Sequence, residues 1–159
     1  MKIHIIGGGN LGVAIVLGIA DHTTNNTIVV TKRNTATISH LQEKGIEISA
    51  NNSHHIQEAD CIILTVKPYQ VETVLTEIAD KIQNKTIISA VSGLSIETLQ
   101  SLVGKNNAVI RIMPNIAIQF GESATCIAFN QKNETEAQKV ISLFQELGTA
   151  PVIEEKLMD

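Results

Sequence analysis

Near the N-terminus, Gly7-Gly8-Gly9-Asn10-Leu11-Gly12 separates a short β-branched run, residues 3–6, from residues 11–20, which are apolar nearly all round. The spacing satisfies G-x-G-x-x-G between a strand and a helix, where each glycine has its own task. Gly7 permits a tight turn, Gly9 removes the Cβ that would block a pyrophosphate, and Gly12 lets helix and strand pack closely. The helix N-terminus then presents unpaired N–H groups and the positive end of its dipole to phosphates. A glycine-rich stretch alone can be simply a turn; its place between strand and helix favours dinucleotide binding.

Further β-branched runs at residues 28–31, 61–66, 86–89 and 108–112 alternate with helical periodicity, as at residues 71–82, where Val71, Val74, Leu75, Ile78, Ala79 and Ile82 share a face. Pro68 and Ser95 act as helix-entry signals, Ser95 as a cap. Residues 123–129 read as a strand and 134–147 as an amphipathic helix stopped by Gly148. This alternation predicts an α/β fold: a Rossmann-type doubly wound, mostly parallel sheet with flanking helices. At 159 residues and 43% hydrophobic content, the chain is sized for one such domain.

Composition narrows the partners. Twelve Lys plus Arg against sixteen Asp plus Glu leave a formal net charge of −4, so no global positive field invites a phosphate backbone. Aromatics at 3% with no Trp leave few stacking platforms or lipid-interface anchors. Neither nucleic acid nor membrane is an expected partner. Cys61 and Cys126 lie in apolar runs without paired spacing and are expected as buried reduced thiols. Gly7 breaks the N-terminal apolar run too early for a signal peptide, and a cytoplasmic location is expected. His54-His55 are adjacent rather than i, i+4, so a solvated polar turn is expected and no metal site is assigned. No Ser/His/Asp or Cys/His arrangement stands out, and no catalytic residue is assigned in this domain.

About 20 residues beyond the glycines, an Asp or Glu would accept hydrogen bonds from the adenosine ribose of NAD. Thr31-Lys32-Arg33-Asn34 stands there instead, a hydroxyl, two cations and an amide suited to a 2′-phosphate. NADP (NADPH) is therefore favoured, with NAD as the weaker alternative. Lys67-Pro68, Ser92-Gly93 and Met113-Pro114-Asn115 also follow strands. With the glycine loop and Thr31 to Asn34 they make five breaks at carboxyl ends, converging on one cleft.

The glycine loop, the Thr31 to Asn34 turn, the Val66-Lys67-Pro68 step, Ser89-Ala90-Val91-Ser92-Gly93 and Arg111-Ile112-Met113-Pro114-Asn115 together resemble pyrroline-5-carboxylate reductase, in order and in spacing. The resemblance covers essentially the whole chain as that family's N-terminal domain. It implies that Gly7, Gly9, Asn10, Leu11 and Gly12 form the pyrophosphate loop, and that Thr31, Lys32 and Arg33 hold the 2′-phosphate. Asn52 would lie on the adenosine side, with Val66, Lys67 and Pro68 on the path to the nicotinamide and Ala90, Met113, Pro114 and Asn115 near it.

The implied reaction is NADPH-dependent hydride transfer to the imine carbon of 1-pyrroline-5-carboxylate, yielding proline. Residues 1–153 would be the cofactor domain and 154–159 the start of a linker to an absent helical dimerisation domain, the full-length protein being a homo-oligomer. After Asn115 the family commonly continues with Thr-Pro and a glycine-rich stretch, where this chain has Ile116-Ala117-Ile118-Gln119-Phe120-Gly121. Alternatives are an NADP-dependent reductase of the β-hydroxyacid dehydrogenase, ketopantoate reductase or deazaflavin-dependent type, and a non-catalytic NADP-binding module.

Overall fold

The computed structural model describes residues 1–158; Asp159, the last residue of the expected linker, lies outside them. In chain order the elements are β1 (Lys2–Ile6), α1 (Asn10–His22), β2 (Thr27–Thr31), β3 (Glu47–Ser49), β4 (Cys61–Leu64), α2 (Val71–Ile78), β5 (Thr86–Ser89), α3 (Ile96–Val103), β6 (Ala108–Met113), β7 (Ser123–Ala124), β8 (Cys126–Phe129), α4 (Glu134–Gln145) and β9 (Gly148–Thr149). Seven strands form one sheet in the order β3-β2-β1-β4-β5-β6-β8. Its pairs are parallel except β8, which runs antiparallel to β6.

Central strands covered on both faces need apolar residues at successive positions, which is why the runs are continuous rather than alternating. Ile3, Ile5, Ile63, Ile88 and Ile110 pack in one cluster with α1 and α4. Ile6, Ile62, Leu64, Ile87 and Val109 pack on the other face with α2 and α3. Helix α1 is apolar nearly all round because it is covered twice, by the sheet and by residues 116–120. A Cβ on Gly18 would lie 2.4 Å from the Ile118 carbonyl oxygen. Helix α2 buries Val71, Val74, Leu75 and Ile78 and ends at Ile78 rather than 82, Ile82 reaching the core from the turn beyond.

Several boundaries differ from the sequence reading. The run expected over 123–129 breaks at Thr125, whose N–H donates to the Thr149 carbonyl. Its first half, β7, therefore pairs with β9 in a separate two-stranded sheet, and only β8 joins the main one. Helix α4 ends at Gln145, and Gly148 belongs to β9 rather than ending the helix. Strand β3 and the 3-10 segment Thr35–Lys44 were not foreseen; that segment buries only Ile38 and Leu41, too sparse a pattern to show a period.

Both cysteines are free thiols, Cys61 buried as expected but Cys126 only half-buried. Burial, with Asp60 beside it, pushes the Cys61 thiol up to about 12, so it is a packing group rather than a nucleophile. His4, in β1, is 1% exposed. Burial first, then nearby His54, holds its pKa down to about 4, so its ring is neutral at pH 7. Among the described residues no helix is long and apolar enough to cross a membrane.

Ser95 caps α3 as the sequence predicts, its Oγ accepting the Thr98 N–H at 3.1 Å. Ser95→Ala should lower stability by about 1 kcal/mol, the usual worth of an N-cap side chain. Urea unfolding should show an earlier midpoint at unchanged slope.

Candidate functional site

The parallel register brings the carboxyl ends of the strands into one row. Ile6 stands opposite Thr31 and Leu64, Leu64 opposite Ser89, and Ser89 opposite Arg111. The chain leaves β1 toward β2 on one side and returns to β4 on the other. The crevice of an open α/β sheet therefore falls at β1, where the glycine loop stands.

That loop is built by close backbone contacts. Gly7 has a φ of +115°, and the Thr65 hydroxyl donates to the carbonyls of Gly7 at 2.6 Å and Ile6 at 3.2 Å. The N–H groups of Gly7 and Gly8 both donate to the Thr31 carbonyl. A Cβ on Gly12 would lie 1.9 Å from the Gly7 oxygen, whereas one on Gly9 would meet nothing within 4 Å. The first bond of α1 runs from Val13 N–H to the Gly9 carbonyl, and no side chain caps this end. The preceding N–H groups of Asn10, Leu11 and Gly12 emerge at the helix's N-terminal end.

In front of the loop lies a groove of 770 Å³ lined by Gly7, Gly9, Thr31, Lys32, Arg33, Asn52, Val66 and Lys67. Eight of the sequence-derived residues thus share one hollow. Asn10, Leu11, Gly12, Pro68, Ala90, Met113, Pro114 and Asn115 do not line it. The first three belong to the helix entry, and Pro68 opens the 3-10 turn Pro68–Gln70 that leads into α2. Ala90 follows β5 and Pro114-Asn115 follow β6, on the same rim but farther along. Asn115 has a local task here: its Oδ1 accepts the Ala117 N–H at 3.0 Å, capping the turn Ile116–Phe120.

Two details correct the expected roles. The Thr31 side chain is fully buried, and its hydroxyl donates to Asn52 Oδ1 at 2.6 Å rather than pointing out of the basic turn. Asn52 in turn donates from Nδ2 to Glu77 at 3.1 Å. Half-buried Lys32 and exposed Arg33 carry the positive charge of the turn, and neither is paired with a carboxylate among the described residues. Sequence reasoning missed Thr65, Tyr69 and Glu77, all of which line the groove. A signal existed for Thr65, the first polar residue after the apolar run of β4; none marked Glu77, which resembles any exposed helix carboxylate.

The strand order, the glycine loop at the switch point and the groove beside a basic turn define a dinucleotide-binding Rossmann domain. Residues 2–93 match the family described as NADP oxidoreductase, coenzyme F420-dependent, and the chain belongs to it. It is 32% identical to the pyrroline-5-carboxylate reductase of Aquifex aeolicus, over 100% of this chain and 60% of that one. Against pyrroline-5-carboxylate reductase 1 of Dictyostelium discoideum it is 37% identical, over 82% of this chain and 24% of the relative. The chain thus spans less than two thirds of these relatives. The crystal structure of Plasmodium falciparum pyrroline carboxylate reductase with NADP bound superposes with a TM-score of 0.86 at 26% identity, over 99% of this chain and 59% of that one.

The contrast between two glycines is testable. Gly12→Ala should destabilise the fold by about 1–3 kcal/mol, because its Cβ meets backbone that cannot yield. Gly9→Ala should stay within about 0.5 kcal/mol of the parent. Chemical unfolding of the two variants side by side checks the difference.

Proposed function

We propose that this chain is the cofactor-binding part of an NADPH-dependent pyrroline-5-carboxylate reductase. The observation that carries this reading is the groove, which joins the open Gly9 face and uncapped α1 terminus to the Lys32-Arg33 turn, with no acid at the end of β2. Those features fit a dinucleotide bearing a 2′-phosphate. The loop leaves room where a pyrophosphate would approach, and the turn offers cations, unpaired among the described residues, where an acidic residue would repel the extra phosphate.

In this reading, the N–H groups at Gly9, Asn10 and Leu11 hold the pyrophosphate, and Gly7 and Gly12 set the loop's shape. Lys32 and Arg33 bind the 2′-phosphate, with Thr31 bracing Asn52 on the adenosine side. Val66, Lys67 and Pro68 lead along the rim toward Ala90, Met113, Pro114 and Asn115 at the nicotinamide end. The Val66 to Pro68 step is held stiff by reciprocal bonds, Lys67 N–H to Gln70 Oε1 at 3.0 Å and Gln70 N–H to the Lys67 carbonyl. That stiffness serves orientation, which is what hydride transfer asks of the protein. The bound cofactor supplies the hydride for the C=N carbon of 1-pyrroline-5-carboxylate.

Residues 1–153 form the cofactor domain in this proposal, with Glu155 holding Arg111 and Met158 buried against it, and a helical dimerisation domain completes the substrate pocket. The family description also spans deazaflavin-dependent reductases; Val66-Lys67-Pro68 with Met113-Pro114-Asn115, and the names of the relatives, favour imine reduction.

Calorimetric titration with NADPH and NADH tests the cofactor assignment. NADPH should bind the more tightly, and Arg33→Ala should weaken NADPH by about 1.5 kcal/mol, roughly tenfold, while leaving NADH nearly unchanged. Equal losses for both cofactors would count against the 2′-phosphate assignment. Brisk proline formation by the 159-residue chain alone would contradict the division of labour.

A further inference from the structure

The sheet has a second hollow, away from the glycine loop, at the edge formed by β3. It measures 410 Å³, and His4, Glu47, His55 and Glu58 are among its lining residues. The register explains the grouping. His4 pairs with Val29 and Val29 with Glu47, so the side chains of this row project from one face. The turn that follows β3 brings His54 and His55 over that face.

Adjacency kept these two histidines off a shared helical face, but a turn gathers them. Their ring centroids are 4.2 Å apart. Glu47 Oε1 lies 2.5 Å from His54 Nε2 and 3.6 Å from His55 Nε2. One ligand atom from each of Glu47, His54 and His55 falls within 4.8 Å of the others. The second ring nitrogen of His55, Nδ1, is 2.9 Å from Glu58 Oε1. Glu58 is itself gripped by Lys2 at 3.1 Å, which with His55 holds its carboxyl below the usual range. A carboxylate that orients one imidazole nitrogen so the other faces a cation is the outer support of histidine metal sites.

An independent observation points the same way. His4 is 1% exposed, and neither of its ring nitrogens has a hydrogen-bond partner of sound geometry. The Asn52 backbone lies close enough to favour its charged form, but this is outweighed by burial. A buried imidazole with both nitrogens unanswered is costly, and this one forms part of the wall of the hollow that Glu47 and His55 share. The two lysines that line the hollow are already matched, Lys2 with Glu58 and Lys44 with Asp21.

We infer that Glu47, His54 and His55 bind a borderline divalent transition-metal ion of the Zn²⁺ type, with the unpartnered ring of His4 on the inner wall of the same hollow. Two imidazoles and one carboxylate suit Zn²⁺ or Co²⁺ better than Mg²⁺ or Ca²⁺, which take oxygen ligands. A bound ion crosslinks β3 to the turn carrying Asn52, and so ties this edge to the groove side of the sheet.

The test is calorimetric titration of the chain with Zn²⁺ and Mg²⁺, alongside visible absorption with Co²⁺ as the probe. One Zn²⁺ per chain is expected, with no Mg²⁺ binding and a Co²⁺ spectrum of nitrogen and oxygen ligation. His54→Gln and Glu47→Gln should each weaken Zn²⁺ at least tenfold, and Glu58→Gln, acting through His55, ten- to hundredfold. All three substitutions are at the surface, and circular dichroism confirms their folding. Undiminished Zn²⁺ binding in a folded His54→Gln/His55→Gln variant overturns the inference. So does a thiolate-to-cobalt band, which would place the ion on a cysteine, and so does failure of the parent chain to bind.

Discussion

The carbonyl of Gly7 is where the strand, the helix and the neighbouring strand meet. Thr65 at the end of β4 donates its hydroxyl to that oxygen, and Gly12 in α1 packs so close to it that no side-chain carbon fits between. The Thr31 carbonyl at the end of β2 takes the N–H groups of Gly7 and Gly8. Three strand ends are thus tied to one turn by backbone and hydroxyl hydrogen bonds. The helix that follows has no freedom in where its N-terminus falls: over the crevice, with its first N–H groups uncapped.

The electrostatics of the groove follow from that placement. A positive helix end and the two cations of Lys32 and Arg33 border the same hollow, while Glu77, an acid in its lining, is held by Asn52. The chain as a whole carries a net charge of −4, so the positive character of the groove is local, built by backbone geometry and one turn. The Thr31–Asn52–Glu77 series also links β2, the connection between β3 and β4, and helix α2. The segment that carries Asn52 is therefore braced on the groove side by these hydrogen bonds and on the far side by the Glu47, His54 and His55 cluster.

Much of this was legible in the residues because it rests on local rules. The glycine spacing, the unbroken β-branched runs and the Ser95 cap each reflect one short-range constraint, and the structure realises all three. What could not be read depended on long-range partners. Strand β3 is three residues long and recognisable only once β2 lies beside it. The split at Thr125 depends on β9, 24 residues later. Thr31 was expected on a phosphate from its hydroxyl and its place after the glycines, but Asn52, 21 residues away, takes its hydroxyl proton. Asn115 was expected near the nicotinamide, and Ala117 gives it a capping task that the letters Met-Pro-Asn do not disclose. The meeting of His54 and His55 with Glu47 likewise needs the sheet edge that positions the turn.

The central claim is that the strand ends around β1 seat a phosphorylated nicotinamide dinucleotide. Amide chemical-shift mapping of the isotope-labelled chain during addition of NADPH addresses it residue by residue. The account predicts that the largest shifts cluster at residues 7–12, 32–34 and 65–67, with the opposite edge of the strands silent. Shifts absent from the glycine loop, or centred on a different surface, would contradict it.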